Sequence, residues 1–103
     1  MTPMPIPRCA VLRLIGEIDA ASLLLFRGEA DELLLDDSVQ QLVVDLSQTT
    51  LLDSSGLGLL VHLKILTCEN AIDLVLRAVP PQVRALLALT ELDRVLTISD
   101  GAA

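Results

Sequence analysis

Hydrophobic residues along the chain fall into two patterns that alternate from residue 10 onward. Short apolar runs predict four strands, at residues 10–15, 41–47, 72–77 and 95–99. Apolar residues with helical spacing predict three helices between them, at residues 20–35, 56–70 and 82–90. Such alternation is typical of an α/β domain with a largely parallel sheet. The nearly continuous apolar run at 42–44 further predicts a central strand covered on both faces.

Polar residues interrupt this pattern between the second strand and the second helix, in the stretch LLDSSGLGLL at 51–60. Functional loops of parallel sheets usually follow the carboxyl ends of strands, and Asp53-Ser54-Ser55-Gly56 lies at such a junction. The first N–H groups of a helix lack acceptors and carry partial positive charge, so the position suits an anion. Gly56 and Gly58 would let another group approach the backbone closely.

Three interpretations of this serine-rich junction are open. Ser54 or Asp53 could simply cap the helix. A bound phosphate ligand would call for the lysine of a P-loop, which does not follow here. Ser54 could itself carry a phosphate. A serine hydrolase is disfavoured, because His62 is the only histidine and lies about 10 Å away if both residues share a helix. We therefore expect no enzymatic activity.

Composition narrows the function further. The 103 residues are enough for one domain, and they carry 14 acidic against 7 basic residues, a net charge of −7. An acidic chain with Phe26 as its only aromatic residue is not expected to bind nucleic acid. Without a signal peptide or an apolar run of roughly 18 residues, it is expected to be cytoplasmic and not inserted in a membrane. Cys9 and Cys68 predict buried or half-buried thiols in a reducing compartment, with neither a metal ion nor a cofactor.

Three segments resemble one family in the same order along the chain. IGEIDAAS near the start, DSSGLG after a VVDLS strand, and VPPQVRALLALTELDRVLTI near the end are similar to the STAS domain of bacterial anti-sigma factor antagonists. The resemblance implies a single STAS domain over residues 1–103, with an ordered core of about residues 9–99. The implied fold is an α/β sandwich whose mixed, mostly parallel sheet has four to five strands, with about four helices. Two turns depart from the family pattern, because Glu69-Asn70 and Glu91 stand where glycines are common; Asn or a type I turn could absorb these changes.

The resemblance also implies a partner switch that regulates transcription. The unphosphorylated antagonist binds an anti-sigma factor that is also a serine kinase, and this binding frees a sigma factor. The kinase phosphorylates the antagonist in the DSSG motif and thereby releases it, and a serine phosphatase resets it. Carried over by motif, the phosphoacceptor is Ser54, and Ser55 and Thr50 rank below it.

A partner surface is predicted around Ser54. The turn Gly16–Asp19 should lie beside it, because both segments follow strands that are expected to be parallel neighbours; Asp19 could instead only cap the first helix. The expected partner-binding residues are Glu17, Asp19, Asp53, Ser54, Ser55, Gly56, Leu57 and Gly58. Apolar residues surround most of the helix after Ser55, which predicts an interface there; the alternative is a helix buried by its own neighbours, and glutamate substitutions of Leu63 and Leu66 would distinguish the two.

Two further options remain open from the sequence. STAS domains also serve as constitutive cytoplasmic subunits of ABC-type lipid transporters and as parts of signalling assemblies, in which the serine would be only a cap. A homodimer is the other option. The intact Asp53-Ser54 pair favours the phosphorylation switch.

Overall fold

A computed structural model of the protein describes residues 8–99 as six strands, three α-helices and one short 3₁₀ helix. The strands are β1 (Cys9–Arg13), β2 (Gly16–Ile18), β3 (Gln41–Asp45), β4 (Thr49–Leu52), β5 (Asp73–Arg77) and β6 (Thr97–Ser99). The helices are α1 (Ala20–Leu33), α2 (Ser54–Glu69) and α3 (Pro81–Leu89), and the 3₁₀ helix spans Leu92–Arg94. The α/β class is confirmed, while the expected count of about four helices is corrected to three α-helices within this range.

The strands form two separate sheets. The larger one has the order β1-β3-β5-β6, and β2 pairs with β4 apart from it. Every ladder within residues 8–99 is parallel, so the mixed character expected of the sheet is not found there. The sequence pattern did not separate β2 and β4 from the turns around them, because strands of three and four residues are too short to display a period.

The helices lie on one face of the larger sheet. From β1 to β6 the chain advances across the larger sheet from one edge to the other without reversing. Because each crossover between parallel strands is right-handed, α1, α2 and α3 lie on the same face. Their apolar faces contribute to a single core. Val43 in the central strand β3 is only 9% exposed but lies outside that core cluster. Residues 42–45 are thus buried on both faces of this central strand, as predicted, although the helical core of residues 8–99 lies against one face only.

A charged row crosses the other face of the sheet. The register of β1, β3 and β5 aligns Arg13, Asp45 and Arg77. The buried carboxylate of Asp45 accepts the N–H of Ser47 at 2.8 Å and an Nη of Arg77 at 3.0 Å, and the Nε of Arg13 lies 3.6 Å away. Burial raises the pKa of Asp45, but the bonds from Ser47 and Arg77 outweigh it and lower this pKa to about 2.

Both cysteines are exposed, which corrects the prediction of buried or half-buried thiols. Cys9 begins β1 on the face that alternates away from the core, and its Sγ donates to Oε1 of Gln41 at 3.0 Å. Cys68 lies in the last turn of α2. Neither position follows from the apolar character of a thiol, because backbone geometry decides which side of each element it occupies.

One of the two divergent turns keeps the conformation of a glycine. Glu91 has φ 62° and ψ 13°, which is the left-handed region, so a type I turn does not absorb this substitution. At the other turn, Asn70 caps α2 with a negative φ, and the following Ala71 takes a φ of 55°. Non-glycine residues in this region carry local backbone strain.

Candidate functional site

The parallel ladder between β2 and β4 brings together the two turns that the sequence singles out. Ile18 is in register with Leu52, and the backbone N–H of Asp53 donates to the carbonyl of Ile18 at 3.4 Å. The turn Gly16–Asp19 therefore lies beside the segment that leads into Ser54, as predicted. The neighbouring strands that produce this contact are β2 and β4, however, and not β1 and β3.

Asp53 is the N-cap of α2, and Ser54 is the first residue of the helix. Oδ1 of Asp53 accepts the N–H of Ser55 at 2.8 Å and that of Gly56 at 3.2 Å, which satisfies two of the donors left over at the helix start. Ser54 is exposed, and its hydroxyl makes no hydrogen bond to residues 8–99. Of the two capping candidates, Asp53 fills the role, and the hydroxyl of Ser54 is left without a structural function in this range.

Asp19 begins α1 in the same way that Asp53 begins α2. Its Oδ1 accepts the N–H of Ser22 at 3.0 Å, and its own N–H donates to Oγ of Ser22 at 2.9 Å, which completes a capping box. The bond from the Ser22 backbone is the main reason why the pKa of Asp19 is lowered. Asp19 is half-buried. The capping interpretation of this residue is thus confirmed, and a partner contact at Asp19 stays a prediction.

The two glycines of the motif have different functions. Gly56 is buried, and a Cβ at this position would lie 2.6 Å from Cγ of Leu52 and 3.1 Å from the carbonyl oxygen of Ile18. It lets the start of α2 approach β2 and β4, and does not itself offer a surface to a partner. Gly58 is exposed, and a Cβ there would meet nothing within 4 Å.

The outward face of α2 begins at Ser54. Steps of three and four residues from this serine define one face of the helix, here called the Ser54 stripe, which comprises Ser54, Leu57, Gly58, Val61 and Ile65. The opposite face is buried and comprises Gly56, Leu59, Leu60, Leu63 and Thr67. Val61 is 37% and Ile65 is 53% exposed, so the stripe presents apolar side chains that start at the candidate phosphoacceptor.

This division corrects one of the predicted test positions. Leu63 is fully buried, and its substitution would report on folding rather than on an interface. Leu66 is half-buried. The sequence could not distinguish the faces because apolar residues surround most of the helix. It also gave no weight to Leu51, which is 55% exposed directly before the buried Leu52; the alternation of these two leucines in β4 was the available signal.

The remaining predicted residues differ in accessibility. Glu17 is exposed beside Ile18, whereas Ser55 and Leu57 are half-buried. His62 is half-buried on the second half of α2, remote from Ser54 along the helix. Among residues 8–99, no three His, Cys, Asp or Glu side chains are grouped as metal ligands would be. Within the same range, none of the helices has both the length and the apolar character of a membrane span.

Comparison with known proteins agrees with this architecture. An anti-sigma factor antagonist from Mycobacterium paratuberculosis is 25% identical over 95% of this chain and 82% of its own, with a TM-score of 0.77. The anti-sigma factor antagonist SpoIIAA in its unphosphorylated form is 20% identical over 97% of this chain and 86% of its own, with a TM-score of 0.71. Bacillus SpoIIAA in the phosphorylated form is 21% identical over 94% of this chain and 87% of its own, with a TM-score of 0.69.

A transporter domain shares the fold as well. The STAS domain of a SulP transporter from Vibrio cholerae is 17% identical over 92% of this chain and 77% of its own, with a TM-score of 0.71. At this identity, as for SpoIIAA, the likeness concerns the fold alone. The family model of the STAS domain matches residues 5–102. Because this match extends over nearly the whole chain, the protein belongs to the STAS domain family.

Proposed function

We propose that the protein is an anti-sigma factor antagonist whose partner binding is switched by phosphorylation of Ser54. In its unphosphorylated form it binds an anti-sigma factor that is also a serine kinase, and the sigma factor is released. The observation that carries the proposal is the exposed hydroxyl of Ser54 beside Asp53, which alone provides the cap of α2. A hydroxyl without a role in the fold can be modified without loss of structure.

Two relatives support the role of an anti-sigma factor antagonist, which is more specific than membership of the STAS family. The protein from Mycobacterium paratuberculosis is an anti-sigma factor antagonist. SpoIIAA is another, and it exists in an unphosphorylated and a phosphorylated form. We extend the same role to this chain, in the cytoplasm, where ATP is available to a kinase. The chain itself catalyses no reaction in this scheme, since the kinase adds the phosphate and a phosphatase removes it.

The charge of a phosphoserine explains how the switch would work. It carries about −1.5 to −2 charges at neutral pH. Within the domain, the N-terminus of α2 can stabilise a negative charge by roughly 0.3–1 kcal/mol, although the neighbouring negative charge of Asp53 opposes this gain. In a complex, the phosphate would have to be desolvated beside the apolar Ser54 stripe. A loss of about 3 kcal/mol there weakens binding on the order of a hundredfold, so the fold survives and the complex does not.

A constitutive subunit of a transporter or signalling assembly is the alternative. The observation in its favour is the shared fold with the SulP transporter domain from Vibrio cholerae. In that role, Ser54 would stay unmodified and the partner would be a transporter component. The Asp53-Ser54 pair and its geometry favour the switch, because a constitutive subunit would not require an exposed hydroxyl at the first residue of α2.

The experiment that tests the proposal is capture of partners from the native host, with and without phosphatase treatment of the lysate. A serine kinase should be captured by the dephosphorylated chain. This kinase with ATP should then place phosphate on Ser54, located by peptide mass spectrometry, and Ser54→Ala should abolish the signal while Ser55→Ala and Thr50→Ala retain it. Phosphate on Ser55 alone, or none with an active kinase, would overturn the assignment, and capture of transporter components would support the alternative.

A further inference from the structure

The helices α1 and α2 run side by side in the same direction. Their caps, Asp19 and Asp53, are held next to each other at the end of the β2–β4 ladder, and the two helices contact each other and lead to β3 and β5 of one parallel sheet. Leu24 follows Asp19 by the same number of residues as Gly58 follows Asp53. Leu24 and Gly58 therefore lie at the same level of the helix pair, one turn beyond Ser54.

Leu24 lies on the flank of α1 that faces α2. The other flank carries Glu29, Glu32 and Leu33, which line a groove of about 480 Å³ together with residues of β1. Leu24 and Asp31 share one side of the helix by their spacing, opposite to that groove. Leu24 is 74% exposed although it is apolar. The first helix thus adds an exposed apolar side chain next to the Ser54 stripe.

The Ser54 stripe thereby belongs to a wider apolar surface. Leu24 and Gly28, one turn apart on α1, join Gly58, Val61 and Ile65 of α2, and these five residues are here called the α1–α2 patch. All five are exposed. Adjoining apolar residues that remain exposed are typical of a protein interface. The interface proposed at Ser54 is therefore expected to extend over both helices.

The two glycines of this patch have no packing requirement inside the domain, unlike Gly56. A Cβ at Gly28 or Gly58 would meet nothing within 4 Å. Glycine inside a helix nevertheless lowers stability relative to alanine, so the domain by itself does not explain either residue. A partner whose backbone approaches α1 and α2 closely explains both, because larger side chains would keep it away.

The form of the occupant follows from the backbone of the patch. The N–H and C=O groups of α1 and α2 are bonded within each helix, so the patch offers side-chain contacts rather than backbone hydrogen bonds. An extended segment would bury some of its own backbone groups there without partners, whereas a helix satisfies them internally. The furrow between two helices accepts side chains of a third at steps of three, four and seven residues.

The end of the patch that is remote from Ser54 is acidic. Asp31 and Glu69 are exposed there and form no ion pair with any of residues 8–99. Neither α1 nor α2 has a basic residue in its last turn to compensate its carbonyl end. Arg27, one turn before Asp31, offsets only part of this charge. The patch therefore fits a partner that is apolar in its centre and basic at this end.

We propose that the kinase partner docks an amphipathic helix on the α1–α2 patch. Its apolar face lies over Gly28 and Gly58, and its lysine or arginine side chains meet Asp31 and Glu69. This inference rests on the proposed function, since it names the part of the kinase that binds. Ser54 lies one turn before Gly58, so the docked helix ends beside the Ser54 hydroxyl and leaves it open to the catalytic site. A phosphate there loses water beside apolar side chains, which favours release.

A second copy of this chain is the poorer occupant. Each copy carries a net charge of −7, which opposes self-association. A dimer of the free chain in size-exclusion chromatography that Gly58→Leu dissociates would assign the patch to a second copy and overturn the proposal.

Calorimetric titration with the kinase captured from the native host tests the role of the glycines. Gly28→Leu and Gly58→Leu fill space that is open in the domain, so circular dichroism should show an unchanged fold, and each should weaken binding at least tenfold. Ala88→Leu is the matched control, because it adds the same side chain at an exposed position of α3 and should change the affinity less than twofold. Wild-type affinity of both glycine variants would overturn the proposal.

Charge reversal tests the basic end of the docked helix. Asp31→Lys/Glu69→Lys should weaken binding at least tenfold. The control Asp73→Lys/Asp93→Lys reverses the same number of charges at exposed positions outside the patch and should change the affinity less than twofold. Equal losses for the two variants would indicate attraction between net charges and would overturn the assigned contact with Asp31 and Glu69.

Photo-crosslinking identifies the segment that binds. Benzoylphenylalanine in place of Leu24 should crosslink to a kinase peptide with apolar residues at helical spacing and lysine or arginine at one end, whereas the same group in place of Leu89, 82% exposed on α3, should not. A kinase that phosphorylates Ser54 but crosslinks only from Leu89 would overturn the docking site and leave the proposed function intact. If no kinase is captured, both fail.

Discussion

Asp19 and Asp53 occupy matching positions, each one residue beyond the register pair Ile18 and Leu52 of the β2–β4 ladder. Both have extended backbones, and each caps the helix that follows it. Their own N–H groups have different acceptors: the N–H of Asp19 donates to Oγ of Ser22, whereas that of Asp53 donates to the carbonyl of Ile18. Two capping carboxylates are thereby held side by side at the end of the ladder where Ser54 is exposed.

The cap at Asp53 should be measurable as stability. Asp53→Ala removes the acceptor of the Ser55 and Gly56 amides and should lower the free energy of unfolding by about 1 kcal/mol. Asp53→Asn keeps a capping oxygen and should restore most of this loss. Urea denaturation followed by circular dichroism measures both. Equal stability of the alanine variant and the wild type would contradict the capping geometry.

The glycines of α2 make a matched pair. Gly56→Ala would place a Cβ 2.6 Å from Cγ of Leu52 and close to the Ile18 carbonyl, so something must shift, and the expected loss of stability is about 1–3 kcal/mol. Gly58→Ala meets open space in the same helix and should raise stability by about 0.5–1 kcal/mol, since alanine is the better helix former. Thermal unfolding of both variants distinguishes close packing from helix propensity. Similar shifts in melting temperature for both would contradict the close packing of Gly56 against Leu52.

The two faces of α2 can be separated by charge. Leu63→Glu buries a carboxylate in the core and should unfold the domain. Ile65→Glu lies on the Ser54 stripe, 53% exposed, and should leave the unfolding temperature nearly unchanged while it weakens partner binding. Circular dichroism checks the fold, and calorimetric titration with the captured kinase checks binding. If Ile65→Glu folds and binds like the wild type, the stripe is not part of the interface.

The order of elements could be predicted from the sequence because their periodicity is local. The apolar runs that became β1, β3 and β5 and the helical patterns of α1 and α2 were all visible. The serine motif was likewise found at a strand-to-helix junction. Its environment was harder to predict, since β2 and β4 stabilise each other only through a ladder between segments distant in sequence.

Other features depend on contacts that no local pattern encodes. Asp45 is buried only because register aligns it between Arg13 and Arg77, which lie far from it along the chain. The outward side of α2 follows from packing against α1 and the sheet, so the sequence could not distinguish the exposed Val61 and Ile65 from the buried Leu63. The sequence indicated a turn at Glu91, where the family commonly has glycine, but it did not predict that Glu91 itself adopts the left-handed backbone conformation.

Acid should weaken the fold through Asp45. Its pKa is about 2 in the folded protein and 3.8 in the unfolded reference, so the carboxylate favours the folded state by about 2 kcal/mol above pH 4. This contribution should disappear as the pH falls from about 4 to about 2. The pKa values of Asp19 and Asp36 are also lowered by hydrogen bonds, from Ser22 and Ser38 respectively, and act in the same direction.

Urea unfolding between pH 7 and pH 2 checks the acid effect. Asp45→Asn should be less stable at neutral pH, because it weakens the bonds to the arginines, and its stability should fall less steeply below pH 4. Arg77→Met removes the closer cation and should also reduce the slope. An Asp45→Asn variant with the same pH dependence as the wild type would show that the titrating group lies elsewhere.

Ser54 variants should separate folding from binding. Ser54→Ala removes a hydroxyl that bonds to nothing in residues 8–99, so it should unfold like the wild type, bind the kinase with unchanged affinity and resist phosphorylation.

Ser54→Asp should also remain folded, because α2 tolerates a negative charge at its N-terminus. It should bind the kinase more weakly, though less so than the roughly hundredfold loss expected for a phosphoserine, since a carboxylate carries only part of the charge. Thr50→Ala is the control: it removes an exposed hydroxyl outside the expected partner-binding residues, and its affinity should match that of the wild type. Calorimetric titration measures the affinity of all three variants for the kinase. If Ser54→Asp and the wild-type protein phosphorylated on Ser54 both bind with full affinity, charge at this residue does not release the partner.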